Sequence, residues 1–292
     1  MNHIPVLLNE VLEYLKPLRG KKFIDATYGR GGHSKALLEK GSIVLAIDKD
    51  LEGYNECQRS ENRFKDRLYC AHGGFADIFN FLRKQNTSAV DGIIFDLGLS
   101  SPQIEDPARG FSFLSDGPLD MRMNQSQTLT AADLVNNLSD EELATIIYQY
   151  GDERFSRRIA KRIVEERTKE KITRTLQLVE IIRKAVPAKF THQRIHFATR
   201  TFQALRIAVN DELNQLRKGL SGSIRFLKKG GKIAVISFHS KEDRIVKYFF
   251  RDQAQKGILK IITKKPIVSS DQEISQNPRS RSAKLRIAEK CS

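Results

Sequence analysis

The sequence predicts an α/β fold, a largely parallel sheet broken by an all-helical insertion. Three observations carry this. Short apolar runs alternate with helix-period segments through the first hundred residues. The alternation then stops for more than a hundred residues, where the period is helical. It resumes with one helix and a strongly apolar strand near Lys232–Phe238.

Taken in order, Phe23-Ile24-Asp25 reads as a strand ending in an acid. Tyr28-Gly29-Arg30-Gly31-Gly32-His33-Ser34 then reads as a tight turn opening a helix. Glycine permits positive φ and close approach of a ligand, and the free amides of a helix start favour electron-rich atoms. Ile43–Ile47 reads as a second strand ending on Asp48, about 20 residues past the turn, the place for an acid that accepts both hydroxyls of a ribose. The turn departs from the dinucleotide pattern, since Ser34 takes the third glycine place, and no Gly-Lys-Ser/Thr closes it as a P-loop. An acid ahead of the glycines, Asp25, suits a ligand carrying positive charge better than a pyrophosphate. S-adenosylmethionine, with its ammonium and sulfonium, is the better match.

Leu51–Glu61 predicts a surface helix and Leu68–Ala71 a third strand. Phe75–Leu82 predicts a helix with Phe75, Ile78, Phe79 and Leu82 on one face, and Gly92–Leu97 a fully buried strand. Ligands of such sheets sit at the carboxyl ends of the strands, where Asp25, Asp48, Asp96 and the His72–Phe75 turn all fall. Leu99–Asn124, rich in Pro and Gly, is too long for a plain connection and reads as a functional flap, with Met121 and Met123 as gap-filling core residues.

From Thr130 to Arg206 the period is helical. Ser139–Glu142 is a capping box leading Leu143, Ile146, Ile147 and Tyr150. Phe155, Ile159 and Ile163 form one side of the next helix, opposite Arg157, Arg158, Lys161 and Arg162, and Leu176, Val179, Ile182 and Val186 mark another. Glu212–Leu227 returns as a helix, His239-Ser240 stands at the end of the following strand, and Ile258–Thr263 and Ala283–Ala288 read as closing strands. Ser269–Ser282 between them predicts a mobile loop. The expected division is a discontinuous sheet domain, 1–104 with 214–292, and a flap plus helical insertion, 105–213.

Charge points to the partner. The 292 residues carry a net charge of +15, with pI near 9.7. Gly151–Ile207 holds fifteen Lys/Arg against six Asp/Glu, and Arg244–Ser292 twelve against four. An excess clustered in this way favours a directed polyanion surface, RNA or DNA, over a merely solvated one. No long apolar run predicts a membrane span, and Met1–Pro5 lacks the features of a signal peptide. Cys57, Cys70 and Cys291 are odd in number and show no metal spacing, so they read as reduced thiols of a cytoplasmic protein. His192 and His196 lack the Glu of a zinc protease motif and read as non-ligands.

Longer blocks carry a resemblance. They are His3–Leu8, Tyr28–Ser34, Asp96-Leu97-Gly98-Leu99-Ser100-Ser101-Pro102-Gln103, Arg109-Gly110-Phe111-Ser112-Phe113, Gly117–Met123, Thr199–Ile207 and Phe238–Lys247. In this order they resemble the bacterial RsmH (MraW) methyltransferases over almost the whole chain. The resemblance implies a Rossmann-like class I methyltransferase sheet of seven strands with a helical substrate domain. It implies methylation of the exocyclic amine of a cytidine in the decoding region of 16S rRNA, with S-adenosylmethionine as donor. The implied cofactor contacts are Gly31, Gly32, His33, Asp48, Phe75, Asp96 and Gln103. Two departures, Phe197 where the family has proline and Lys241 where it has leucine, bear on substrate positioning.

The usual Asp-Pro-Pro-Tyr of amino-methyltransferases is absent after the fourth strand, where Asp96-Leu97-Gly98-Leu99 stands. Asp96 is the candidate for accepting a hydrogen bond from the amine, or for holding the cofactor. Ser100, Ser101 and His239 are candidates for orienting the base, and Phe111, Phe113 or Phe238 for stacking on it. Two other classes are weighed beside this one, a non-catalytic RNA-binding assembly factor that keeps the fold and a nicotinamide-dependent oxidoreductase.

Overall fold

The computed structural model describes residues 5–191 and 195–291. His192 and the first two residues of the His3–Leu8 block lie outside them. The chain divides into two units, Met1–Gly98 with Leu213–Ser292, and Leu99–Glu212.

The first unit opens with α1 (Leu8–Leu15), β1 (Lys22–Asp25), α2 (Gly32–Glu39), β2 (Ile43–Asp48), α3 (Leu51–Glu61) and β3 (Leu68–His72). α4 (Ile78–Lys84) and β4 (Val90–Asp96) complete its first part. β1 pairs in parallel with β2 and β4, and β2 with β3, so Asp25 stands beside Ala46 and Ile94 while Asp48 stands beside His72. Near-continuous apolar runs fit strands covered on both faces. One face meets Phe81, Leu82, Leu216 and Leu220, and the other Leu7, Val11, Leu37 and Leu38. The helix after β3 buries Ile78, Phe81 and Leu82, whereas Phe79 faces outward against Phe226. A single-turn 3-10 helix at Phe75–Asp77 precedes α4 and rotates the expected face.

The second unit contains α5 (Ser101–Glu105), α6 (Ala131–Asn137), α7 (Asp140–Gly151), α8 (Ser156–Arg167), α9 (Thr175–Ala185) and α10 (Thr199–Asn210). Ser139 and Glu142 form the reciprocal cap of α7, as the sequence pattern requires. α7 packs on α8 and α10, and α8 on α9, around Leu143, Ile147, Ile159, Ile163, Leu178 and Ile182. Leu178 takes the buried place expected of Leu176, which is exposed. Met121 is fully buried in this core and Met123 packs against it. The flap is tied down by polar contacts. Met123 N–H donates to Asn210 Oδ1 at 2.8 Å, Asn210 Nδ2 donates to the Met121 carbonyl at 2.8 Å, and buried Arg109 donates to the carbonyls of Arg122 and Met123 at 3.0 Å.

The first unit resumes with α11 (Glu212–Ser223), β5 (Leu227–Ser237), α12 (Ser240–Gln255), β6 (Leu259–Ile261), α13 (Asp271–Gln276) and β7 (Lys284–Lys290). β5 joins β4 in parallel, β7 joins β5 antiparallel, and β6 lies outermost, giving the order β3-β2-β1-β4-β5-β7-β6. The seven-strand α/β sheet is as the sequence predicts.

Two expectations are corrected. Ser269–Ser282 is an ordered stretch: Ser270 caps α13, Glu273 Oε1 accepts the Leu7 N–H at 2.8 Å, and Ser280 is fully buried. Cys57 and Cys70 are joined by a disulfide, with Cα atoms 5.9 Å apart. The return from α3 into β3 brings them together, which spacing along the chain does not reveal.

Candidate active site

The strand ends of the first unit gather the acids. Asp48 bridges two neighbouring turns: Oδ2 accepts the Gly29 N–H at 2.6 Å and Oδ1 accepts the Asp50 N–H at 2.8 Å. A carboxylate offers about four acceptor positions, so lone pairs remain for a diol. Gly53 on α3 was not singled out from sequence, yet a Cβ there would stand 2.6 Å from the Asp48 carboxyl. A glycine two turns of chain beyond an acid carries no motif signal; only the packing of α3 over β2 exposes its role.

Gly31 has φ +71° and precedes α2, whose first turn begins at Gly32. Its left-handed conformation explains the glycine there. Ser34, in the place of a third glycine, donates from Oγ to Asp25 Oδ2 at 2.6 Å, and Thr27 N–H donates to Asp25 Oδ1 at 3.2 Å. Asp25 is thus buried and spent on holding the turn. Toward a cationic ligand it can contribute through its field, its oxygens being engaged by Ser34 and Thr27.

Asp96 ends β4. Its N–H donates to Thr27 Oγ1 at 2.7 Å, and its Oδ2 lies 3.7 Å from His33 Nδ1. Oδ1 is covered and has no hydrogen-bond partner among the described residues. The other nitrogen of the buried His33 ring, Nε2, lies 3.1 Å from the Val6 carbonyl. Burial pushes both Asp48 and Asp96 up to about 6. For Asp48 the Gly29 and Asp50 amides pull back down, and for Asp96 the His33 ring does, while Asp25 adds repulsion to each. Burial also raises Asp25. Three carboxyl groups crowded at adjoining strand ends make a site that gains from a cationic guest.

Phe75 is half-buried, edge-on to Phe95 at 5.8 Å, and backed by Gly219, where a Cβ would crowd its ring. His239 caps α12: both ring nitrogens face Glu242, Nδ1 taking its N–H at 3.4 Å and Nε2 lying 3.1 Å from Oε1. Gln103 belongs to the second unit, buried, with Oε1 accepting the Ser100 N–H at 2.9 Å in the cap of α5. There too Phe111 is buried in the core, and Phe113 stacks on His196 at 4.7 Å. Gly31, Gly32, His33, Asp48, Phe75 and Asp96 therefore share the carboxyl edge of one sheet.

A family model described as the MraW methylase family matches residues 1–291. The chain belongs to the MraW methylase family. It is 47% identical over 309 residues to the Ribosomal RNA small subunit methyltransferase H of Halothermothrix orenii, covering 99% of both chains. It is 50% identical over 297 residues to the protein of that name from Synechocystis sp., covering 99% of this chain and 93% of the relative. Among solved structures, an rRNA methylase from Streptococcus thermophilus superposes with a TM-score of 0.47 at 11% identity, covering 100% of this chain and 99% of that one. SMU.1697c, a putative methyltransferase from Streptococcus mutans in complex with SAH, gives 0.48 at 12% identity, covering 99% of each. In the MraW chain described here, no helix among the described residues is long and apolar enough to cross a membrane.

Proposed function

We propose that this methylase transfers a methyl group from S-adenosylmethionine to the exocyclic amine of a cytidine in the decoding region of 16S rRNA, within the small ribosomal subunit in the cytoplasm. The observation that carries the reading is Asp96 Oδ1, a covered carboxylate oxygen without a hydrogen-bond partner among the described residues, on the carboxyl edge of the sheet that also carries Asp48 and the Gly31 turn. The donor set fits the cofactor. Asp48 takes the ribose hydroxyls, Phe75 packs on the adenine, and the Gly31-Gly32-His33 amides meet the methionine part, with Asp96 opposite its positive charge. The supporting names of the relatives point to small-subunit rRNA. Of the features described, the Cys57–Cys70 bond is the one unusual for a cytoplasmic protein.

When bound, the cofactor supplies an electrophilic methyl group on a sulfonium that leaves as a neutral thioether. A cytosine amine is a weak nucleophile because its lone pair is delocalised into the ring. The chain's part is to hold that nitrogen in line and take its proton as charge develops. Asp96 is the acceptor in this reading, with a proton affinity raised by burial toward working pH. His239, committed to capping α12, is assigned no proton transfer.

Incubation with methyl-labelled S-adenosylmethionine and undermethylated small subunits, followed by mapping of the label, tests the whole reading. Label on the decoding-region cytidine is the expected result. RNA binding with no turnover would mark instead an assembly factor that keeps the fold.

A further inference from the structure

The sixteen residues of α12 divide their charges by face. Glu242, Val246, Phe250 and Gln253 are buried. On the opposite side Arg244, Lys247, Tyr248 and Arg251 are exposed, at offsets of three, four and seven residues that keep them on one face. Acids of the same helix do not offset these cations. Asp243 is held by Arg286 at 2.6 Å and lies 3.8 Å from Lys284, both on β7, and Asp252 is taken by Lys256 at 2.7 Å. Glu242 is turned inward, accepting the Phe238 N–H at 2.9 Å. Arg244, Lys247 and Arg251 have no carboxylate partner among the described residues. The Arg251 guanidinium lies 4.7 Å over the ring of Tyr248, itself 48% exposed.

In the helical insertion much of the charge is paired, although Arg157, Arg158 and Lys161 of α8 are exposed as well. Arg162 pairs with Glu165 and Glu166, Lys169 with Glu166, Arg183 with Glu180 and Arg174 with Asp116. An ordinary solvated helix interleaves its charges in that way. α12 instead sorts them, and adds an aromatic ring to the cationic side. Its first turn begins where β5 ends, beside the end of β4 that carries Asp96.

We propose that the outward face of α12 is a track for the phosphodiester backbone of single-stranded RNA, with Tyr248 a platform on which one base stacks. The inference rests on the rRNA reading and says which surface of the first unit the substrate follows. Unpaired cations in a row complement the one charge that every nucleotide repeats, and an exposed ring beside them matches how unstructured strands are held.

The test uses the full chain and a synthetic single-stranded RNA of the decoding region, with affinity followed by fluorescence anisotropy against salt. For the triple variant Arg244→Gln, Lys247→Gln, Arg251→Gln, the slope of log affinity on log salt should fall by about 2, since each lost phosphate contact on a single strand removes about 0.7. Tyr248→Ala should weaken binding roughly ten-fold with the slope unchanged, the signature of stacking. Both variants should keep the melting temperature and the S-adenosylhomocysteine affinity of the parent. An unchanged slope in the triple variant, with the parent binding RNA normally, overturns the track and leaves the rRNA reading intact. A parent that binds no RNA overturns both. Loss of sedimentation with phosphatidylserine vesicles in the triple variant, with no change in RNA slope, would assign the face to a membrane and also overturn the track.

Discussion

His33 Nδ1 faces Asp96 Oδ2 across 3.7 Å, while Nε2 of the same ring faces the Val6 carbonyl at 3.1 Å. A carbonyl only accepts, so the Nε2 hydrogen belongs to that contact and the neutral ring presents a lone pair to the carboxyl group.

The first prediction follows from this pair. Burial holds Asp96 at about 6 and His33 opposes that rise. His33→Gln keeps a donor for Val6 and removes the ring that opposes the rise, so Asp96 should ionise only at higher pH. The acid limb of the rate profile should move to higher pH, measured as single-turnover methyl transfer between pH 5 and 9. A uniform loss of rate at every pH would show that His33 only shapes the site.

Asp48→Ala should weaken S-adenosylhomocysteine binding by about 3 kcal/mol, roughly a hundred-fold in Kd, by removing charge-assisted bonds to two hydroxyls. RNA affinity should hardly change. Calorimetry for the cofactor product and filter retention for RNA separate the two, and parallel losses would refute the ribose assignment.

Gly53→Ala probes the same acid from behind. The new Cβ stands 2.6 Å from the Asp48 carboxyl and displaces it. In a helix the exchange itself favours alanine by about 1 kcal/mol. The expected outcome is at least a ten-fold loss of cofactor affinity with little loss of melting temperature. Unaltered affinity would mean that Asp48 adjusts freely.

The acids also predict a pH dependence. Asp48 and Asp96 sit at about 6 in the folded chain against an ordinary value of 3.8. Between these limits the folded state binds more protons than the unfolded one, so their contribution favours folding at low pH and is lost as pH rises through 6. Cofactor affinity runs the opposite way, since the ionised forms are the ones that accept hydroxyls and face positive charge. Chemical denaturation with and without S-adenosylhomocysteine at pH 5 and pH 7.5 checks the sign: the ligand should stabilise more at the higher pH.

The Cys57–Cys70 bond closes a short loop between α3 and β3. Chain-entropy arguments give about 3 kcal/mol for a loop of roughly fifteen residues. Denaturant titration of the oxidised protein against Cys57→Ser/Cys70→Ser should show a loss approaching that size, and alkylation followed by mass measurement should find Cys291 alone reactive in the oxidised form.

Much of this protein was legible along the chain because strands, helix faces, caps and glycine turns obey local rules. Phe23–Asp25, Ile43–Asp48 and the Ser139–Glu142 box need only a few neighbours to be read. The strand-end position of Asp48 and Asp96 follows from the same alternation. Contacts between distant segments needed the fold. That Ser34 satisfies Asp25, that Gly53 makes room for Asp48, that Cys57 meets Cys70 and that Glu273 fastens the Leu7 amide all depend on how separate elements return to one place. Charge shows the division most plainly. Sequence alone determined that this is a basic α/β protein with an acid-rimmed glycine turn. Only the tertiary structure decided which cations are spent on neighbouring acids and which, along α12, are left facing solvent, because pairing is set by distance in space and not by count along the chain.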